Sequence, residues 1–105
     1  MTDKLLVFVT APSKPVAAEL ANSIIEKHYA ACINIVDDIA SIYFWENKIQ
    51  SDNEVLMLIK TTKSKYKILE EYILNNHPYD LPEIIASPIT EGSNNYLEWL
   101  EKCVN

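Results

Sequence analysis

The stretch Ala31-Cys32-Ile33-Asn34-Ile35-Val36-Asp37-Asp38-Ile39-Ala40-Ser41-Ile42-Tyr43-Phe44-Trp45 meets Lys48-Ile49-Gln50-Ser51-Asp52-Asn53-Glu54-Val55-Leu56-Met57-Leu58-Ile59-Lys60-Thr61 across Glu46-Asn47. β-branched and aromatic residues on both sides of a short polar break read as two antiparallel strands. Glu46-Asn47-Lys48 is the expected turn, with Asn47 tolerating positive φ. Asp37-Asp38 marks a bulge or bend in the first arm. Ser51-Asp52-Asn53 suggests a second interruption in the return arm. Each arm is roughly twice the usual strand of about 5–6 residues. Arms of that length project past any helices packed on the sheet and expose Tyr43, Phe44 and Trp45. A long apolar edge must be paired or it aggregates. Self-association follows, and a small cyclic homo-oligomer sharing sheet edges provides it.

Working outward, the hairpin is flanked by a β-α unit before it and an α-β unit after it. Lys4 to Ala11 is a continuous apolar run, the pattern of a central strand covered on both faces. Ser13 offers an N-cap and Pro15 suits a first helical turn. Val16, Ala17, Leu20, Ala21, Ile24 and Ile25 then form the stripe of an amphipathic helix that ends near Lys27-His28. Lys63 to Asn76 is a second helix with Tyr66, Leu69, Tyr72 and Ile73 near one face. Glu83 to Pro88 is a short strand. Ser93 can cap a last helix to about Cys103, with Tyr96, Leu97, Trp99 and Leu100 as its buried side. The order β-α-β-β-α-β-α predicts an α+β chain: a ferredoxin-like split βαβ sandwich with an extended hairpin and an extra C-terminal helix.

The chain is densest in chemistry at His77-Pro78-Tyr79-Asp80-Leu81-Pro82-Glu83. Each proline fixes its own φ and pushes the preceding residue out of helical geometry, so the polar groups sit on a stiff corner. His77, Asp80 and Glu83 are candidate metal ligands, imidazole for copper, zinc or nickel and carboxylates for harder ions. The structural alternative has His77 capping the helix end and Glu83 paired with a lysine such as Lys60. Tyr43-Phe44-Trp45-Glu46-x-Lys48 can wall a ligand pocket between subunits or simply pack an oligomer. An acid–base role for His77 with Asp80 or Glu83 lacks an activated nucleophile nearby in sequence, and the chain is read as no enzyme. His28 reads as a surface residue and Met57 as core.

Composition narrows the function classes. At 105 residues, with 49% hydrophobic and 23% charged side chains, the chain reads as a single domain over residues 1–105 with a real core. Nine basic against 15 acidic residues, a formal charge of −6, argue against non-specific nucleic-acid binding. Gly92 is the only glycine, which excludes a P-loop, a dinucleotide-binding glycine loop and a nucleophile elbow. No apolar run is long enough to cross a bilayer and no secretory signal is evident, so no membrane partner and a cytoplasmic location are expected. Cys32 and Cys103 are far apart and suggest no disulfide scaffold.

A set of motifs in order carries a family resemblance. They are Val9-Thr10-Ala11-Pro12, Ala30-Ala31-Cys32-Ile33-Asn34, Ser41-Ile42-Tyr43-Phe44-Trp45-Glu46-Asn47-Lys48-Ile49, Ile59-Lys60-Thr61, His77-Pro78-Tyr79-x-x-Pro82-Glu83-Ile84 and Tyr96-Leu97-x-Trp99-Leu100. From about Leu6 to Trp99 the chain resembles the CutA family of divalent-cation-tolerance proteins. The resemblance implies a tight homotrimer whose hairpins pair across subunits, in a cytoplasmic protein linked to tolerance of copper and other divalent cations. It also implies a likeness of architecture to the trimeric nitrogen-regulatory signalling proteins, which does not transfer function.

The family's copper pattern uses a cysteine before Thr-Ala-Pro and two histidines before Pro-Tyr. Here those places hold Val9 and Asn76-His77, which leaves His77 with Glu83 as metal candidates. The expected inter-subunit pocket is lined by Tyr43, Trp45, Glu46, Lys60, His77, Tyr79 and Glu83, with Lys60 balancing Glu83. Its ligand would be copper or another divalent cation, or a small anionic or polar molecule, and none is required for folding. A small-molecule-sensing signalling trimer and a ligand-free scaffold are the alternative readings.

Overall fold

The structure, a computed structural model, describes residues 3–105. Its elements are β1 (Lys4–Ala11), α1 (Lys14–Glu26), β2 (Cys32–Trp45), β3 (Lys48–Thr62), α2 (Lys63–Asn76), β4 (Ile84–Pro88) and α3 (Asn94–Val104). The strands form one sheet in the order β2-β3-β1-β4, and every neighbouring pair is antiparallel. This is the split βαβ arrangement that the element order predicts.

Alternation along the strands builds the core. Val7, Val9 and Ala11 of β1 lie beside Ile59, Met57 and Val55 of β3, and all are buried against Ala17, Leu20 and Ile24 of α1 and Leu69 and Ile73 of α2. Ser13 caps α1, its hydroxyl accepting from the Val16 N–H at 3.4 Å. At the other end the Tyr29 N–H reaches the Ile24 carbonyl and the His28 N–H reaches the Ile25 carbonyl, with His28 at φ 62°. That pair of bonds is the Schellman closure, with histidine where glycine is usual.

The helices α1 and α2 cover one face only. Leu6, Phe8, Leu56 and Leu58 alternate with the core positions and are half-buried, so β1 is central in the sheet but not covered on both faces. Register places Ile85, Phe8 and Leu58 in one row across three strands, and Ile85 is exposed. At one end of this open face α3 packs separately. Leu100 and Val104 close over Ala31, and Lys4 forms an ion pair with Glu101 at 2.8 Å. Tyr96 and Trp99, expected inside, are exposed and lean on each other at 5.4 Å between ring centroids. The amphipathic stripe of α3 is wider than the surface this chain offers it.

The hairpin is interrupted once. Val36 pairs with Leu56 and Ile39 with Glu54, so Asp37 and Asp38 face Val55 alone, which is a β-bulge. Asp38 takes φ 65° to make it. The return arm β3 runs unbroken from Lys48 to Thr62, so the polar Ser51-Asp52-Asn53 is no interruption: its residues keep their ladder partners Ile42, Ser41 and Ala40. Trp45 pairs with Lys48, leaving a two-residue turn in which Glu46 and Asn47 both have positive φ, 51° and 63°. That is the type I′ geometry whose twist matches the strands. From Ile39 to Trp45 the arm extends roughly 20 Å. The projection raises the radius of gyration to 14.3 Å, against about 13 Å for a compact domain of this size.

Candidate functional site

The bulge gives the projecting arm its own twist, and a cleft of about 600 Å³ opens between that arm, the end of β1 and the proline-framed corner. Thr10 forms its base. Ser41, Ile42, Tyr43, Trp45, Asp52 and Glu54 come from the arm, and Tyr79, Asp80, Leu81 and Glu83 from the corner. No lysine, arginine or histidine is among these lining residues.

The corner is held by His77. Pro78 forces His77 out of helical geometry, and it sits at φ −84°, ψ 142° as the C-cap of α2. Its N–H closes the helix on the Ile73 carbonyl at 2.8 Å. The side chain is 8% exposed and uses both ring nitrogens. Nδ1 accepts from the Tyr79 N–H at 3.1 Å. Nε2 therefore carries the proton and donates to the Thr10 carbonyl at 2.8 Å. The imidazole ties the corner to β1 from beneath the cleft, and neither nitrogen opens into it.

Tyr79 stands 4.7 Å from the His77 ring and donates its hydroxyl to Glu54 Oε2 at 2.7 Å. Burial, and then the Glu54 carboxylate, raise its phenol well above the ordinary tyrosine value. On the facing arm the Tyr43 hydroxyl donates to Asp52, and that carboxylate pushes the Tyr43 phenol up. Both phenols hold their protons and donate to anions.

The expected site residues divide accordingly. Tyr43, Trp45, Tyr79 and Glu83 line the cleft. His77 supports it without facing it. Glu46 occupies the turn at the tip. Lys60 stands far from Glu83's cleft, roughly 20 Å along β3 from Glu54 at the usual strand rise. It donates to Asn34 and lies 3.8 Å from Cys32 Sγ, so the expected balance of Lys60 against Glu83 does not form within the chain. Cys32 and Cys103 are free thiols. Among the described residues no three His, Cys, Asp or Glu side chains are gathered to hold a metal, and no helix is long and apolar enough to cross a membrane.

Asp52 and Glu54 were not among the expected lining residues, and the turn explains why. A turn of Glu46-Asn47-Lys48 slips the pairing by one residue and flips the return arm's faces. With the two-residue turn, Asp52 stands opposite Ser41 and Glu54 opposite Ile39, on the same side as Tyr43 and Trp45.

Comparison with known proteins gives one answer. A family model described as CutA1 divalent ion tolerance protein matches residues 5–103. The chain is 52% identical over 97 residues to the chloroplastic protein CutA of Arabidopsis thaliana, covering 92% of this chain and 53% of that one. It is 43% identical to the divalent-cation tolerance protein CutA of Thermus thermophilus, covering 92% and 94%. The chain thus spans about half the length of the plant and mammalian relatives and nearly all of the bacterial one. Among solved structures, the Thermus thermophilus protein superposes with a TM-score of 0.94 at 41% identity, covering 97% of this chain and 99% of that one. CutA1 from Oryza sativa superposes with a TM-score of 0.94 at 47% identity, covering 97% and 94%.

Proposed function

The chain belongs to the CutA1 divalent ion tolerance family, and from that premise we propose that it works as a homotrimer in divalent-cation tolerance, without catalysis, through clefts completed between subunits. The observation that carries this reading is the projecting arm. Phe44 and Ile49, cross-strand partners, are 68% and 78% exposed on the side of the arm that alternates away from Tyr43 and Trp45. Monomers rarely leave such a patch open. A neighbouring subunit that covers it stands beside the cleft and adds groups to it.

The donor set separates the candidate metals. With Val9 at the thiolate position and both nitrogens of His77 engaged, the residues do not fit a soft copper(I) site. Asp52, Asp80 and Glu83 present carboxylate oxygen at the cleft, which suits a divalent ion that keeps part of its water. The ion is cargo in this reading, and the neighbouring subunit supplies the remaining ligands. The same carboxylates repel a small anion. The absence of catalysis is supported by an imidazole with no free nitrogen and by two phenols that already donate to carboxylates.

Calorimetric titration of the metal-free assembly with Cu(II) and Zn(II) tests the reading. Binding is expected in proportion to subunits and is weakened by Glu83→Gln and Asp80→Asn, while His77→Gln leaves it nearly unchanged. No binding of either ion, or binding abolished by His77→Gln alone in a folded assembly, contradicts it.

A further inference from the structure

We propose that the cleft also takes an organic cation, an ammonium group carried on an apolar body, with Glu54 as the anchoring anion and aromatic rings as its walls. This goes beyond the tolerance reading and does not depend on it.

Glu54 carries the argument. It is 9% exposed, and a buried carboxylate costs much unless paired with a cation. Among the described residues the ion pairs join Lys4 to Asp3 and Glu101, and Lys14 to Asp37, so no cation of the chain reaches Glu54. One of its oxygens accepts from Tyr79. The other has no hydrogen-bond partner among the described residues, yet no buried side-chain oxygen is left sealed without one. That oxygen therefore opens on the cleft that Glu54 lines.

The walls select the kind of cation. Tyr43, Trp45 and Tyr79 line the same space, and an aromatic face attracts a cation within about 6 Å of its centre. A volume of about 600 Å³ is that of a metabolite site, far more than a bare ion fills. Among the described residues no ligand group of three converges on a point as a desolvated metal requires. An ammonium needs only one close anion, and its apolar body takes the rings and Leu81. Neutral molecules leave Glu54 unpaired, and anions meet only like charge.

The test is a charge series on one carbon skeleton, read in the native assembly carrying Trp99→Phe so that Trp45 alone reports by fluorescence. The probes are 1,4-diaminobutane, 1,4-butanediol and succinate. Saturable change with the diamine, at least about tenfold weaker binding of the diol and none of succinate are expected. Glu54→Gln keeps the acceptor for Tyr79 and weakens the diamine about tenfold or more. Glu83→Gln, an exposed change that threatens no packing, weakens it less. Equal binding of diamine and diol, indifference to both variants, or no diamine binding overturns the proposal. Zinc binding without diamine binding overturns it while leaving the tolerance reading intact, and the reverse outcome does the opposite.

Discussion

The Nε2–H of His77 reaches the carbonyl oxygen of Thr10 at 2.8 Å, joining the end of α2 to the end of β1 across 67 residues of chain. With Nδ1 accepting from the Tyr79 N–H, one buried ring holds the corner that forms a wall of the cleft. The resemblance draws attention to this histidine as a metal ligand; its surroundings make it a brace.

The brace has a measurable worth. His77→Phe keeps a flat aromatic ring, slightly larger than imidazole, and leaves the Thr10 carbonyl and the Tyr79 N–H without partners. A loss of about 1–3 kcal/mol is expected, the usual cost of unsatisfied buried groups. Urea unfolding of the variant and parent gives the difference. Unchanged stability means that water or a shifted loop satisfies both groups.

Alkaline pH tests the Tyr79–Glu54 contact. The Tyr79 phenol is raised above its ordinary value of 10.0, by burial first and then by Glu54. A raised phenol favours the folded state while protonated. Its contribution is fully present below the unfolded value and is lost as pH rises from about 10 through the folded value. Tyr43, Tyr66 and Tyr96 are raised as well, so the parent loses stability above pH 10 through all four. Tyr79→Phe should start less stable at neutral pH and show a shallower alkaline decline. An unaltered slope in the denaturation midpoint against pH counts against the contact.

The type I′ turn predicts opposite effects at one position. Asn47 holds φ 63°, which glycine adopts freely and a β-branched residue resists. Asn47→Gly should raise stability by up to about 1 kcal/mol, and Asn47→Val should lower it by about 1–2 kcal/mol. Thermal unfolding of the two variants distinguishes this turn from a three-residue one, where the signs need not differ.

Much of this architecture was legible before any coordinates. Strand alternation, the Ser13 cap, the Asp37-Asp38 bulge and the β-α-β-β-α-β-α order are local signals, and each appears where the residues put it. The faces of the return arm were less legible, because a single residue in the turn decides which side Asp52 and Glu54 take. Lys60 looked like a partner for Glu83 because both are charged; only the register shows that Lys60 lies level with Leu6 and Ser87, while Glu83 precedes Ile84 at the other end of β4. Tyr96 and Trp99 follow a helical stripe, but periodicity says which residues share a face and not what covers it.

The central claim is that the apolar side of the projecting arm is covered by neighbouring copies, which complete the cleft. Sedimentation equilibrium tests it most directly, comparing the parent with Ile49→Glu, a change at a residue 78% exposed in the single chain. The account predicts a parent mass of about 36 kDa, three times the 12.0 kDa subunit, and dissociation of the variant toward 12.0 kDa with its subunit still folded. A parent that sediments as a single subunit, or an Ile49→Glu protein that keeps the full assembly unchanged, contradicts it.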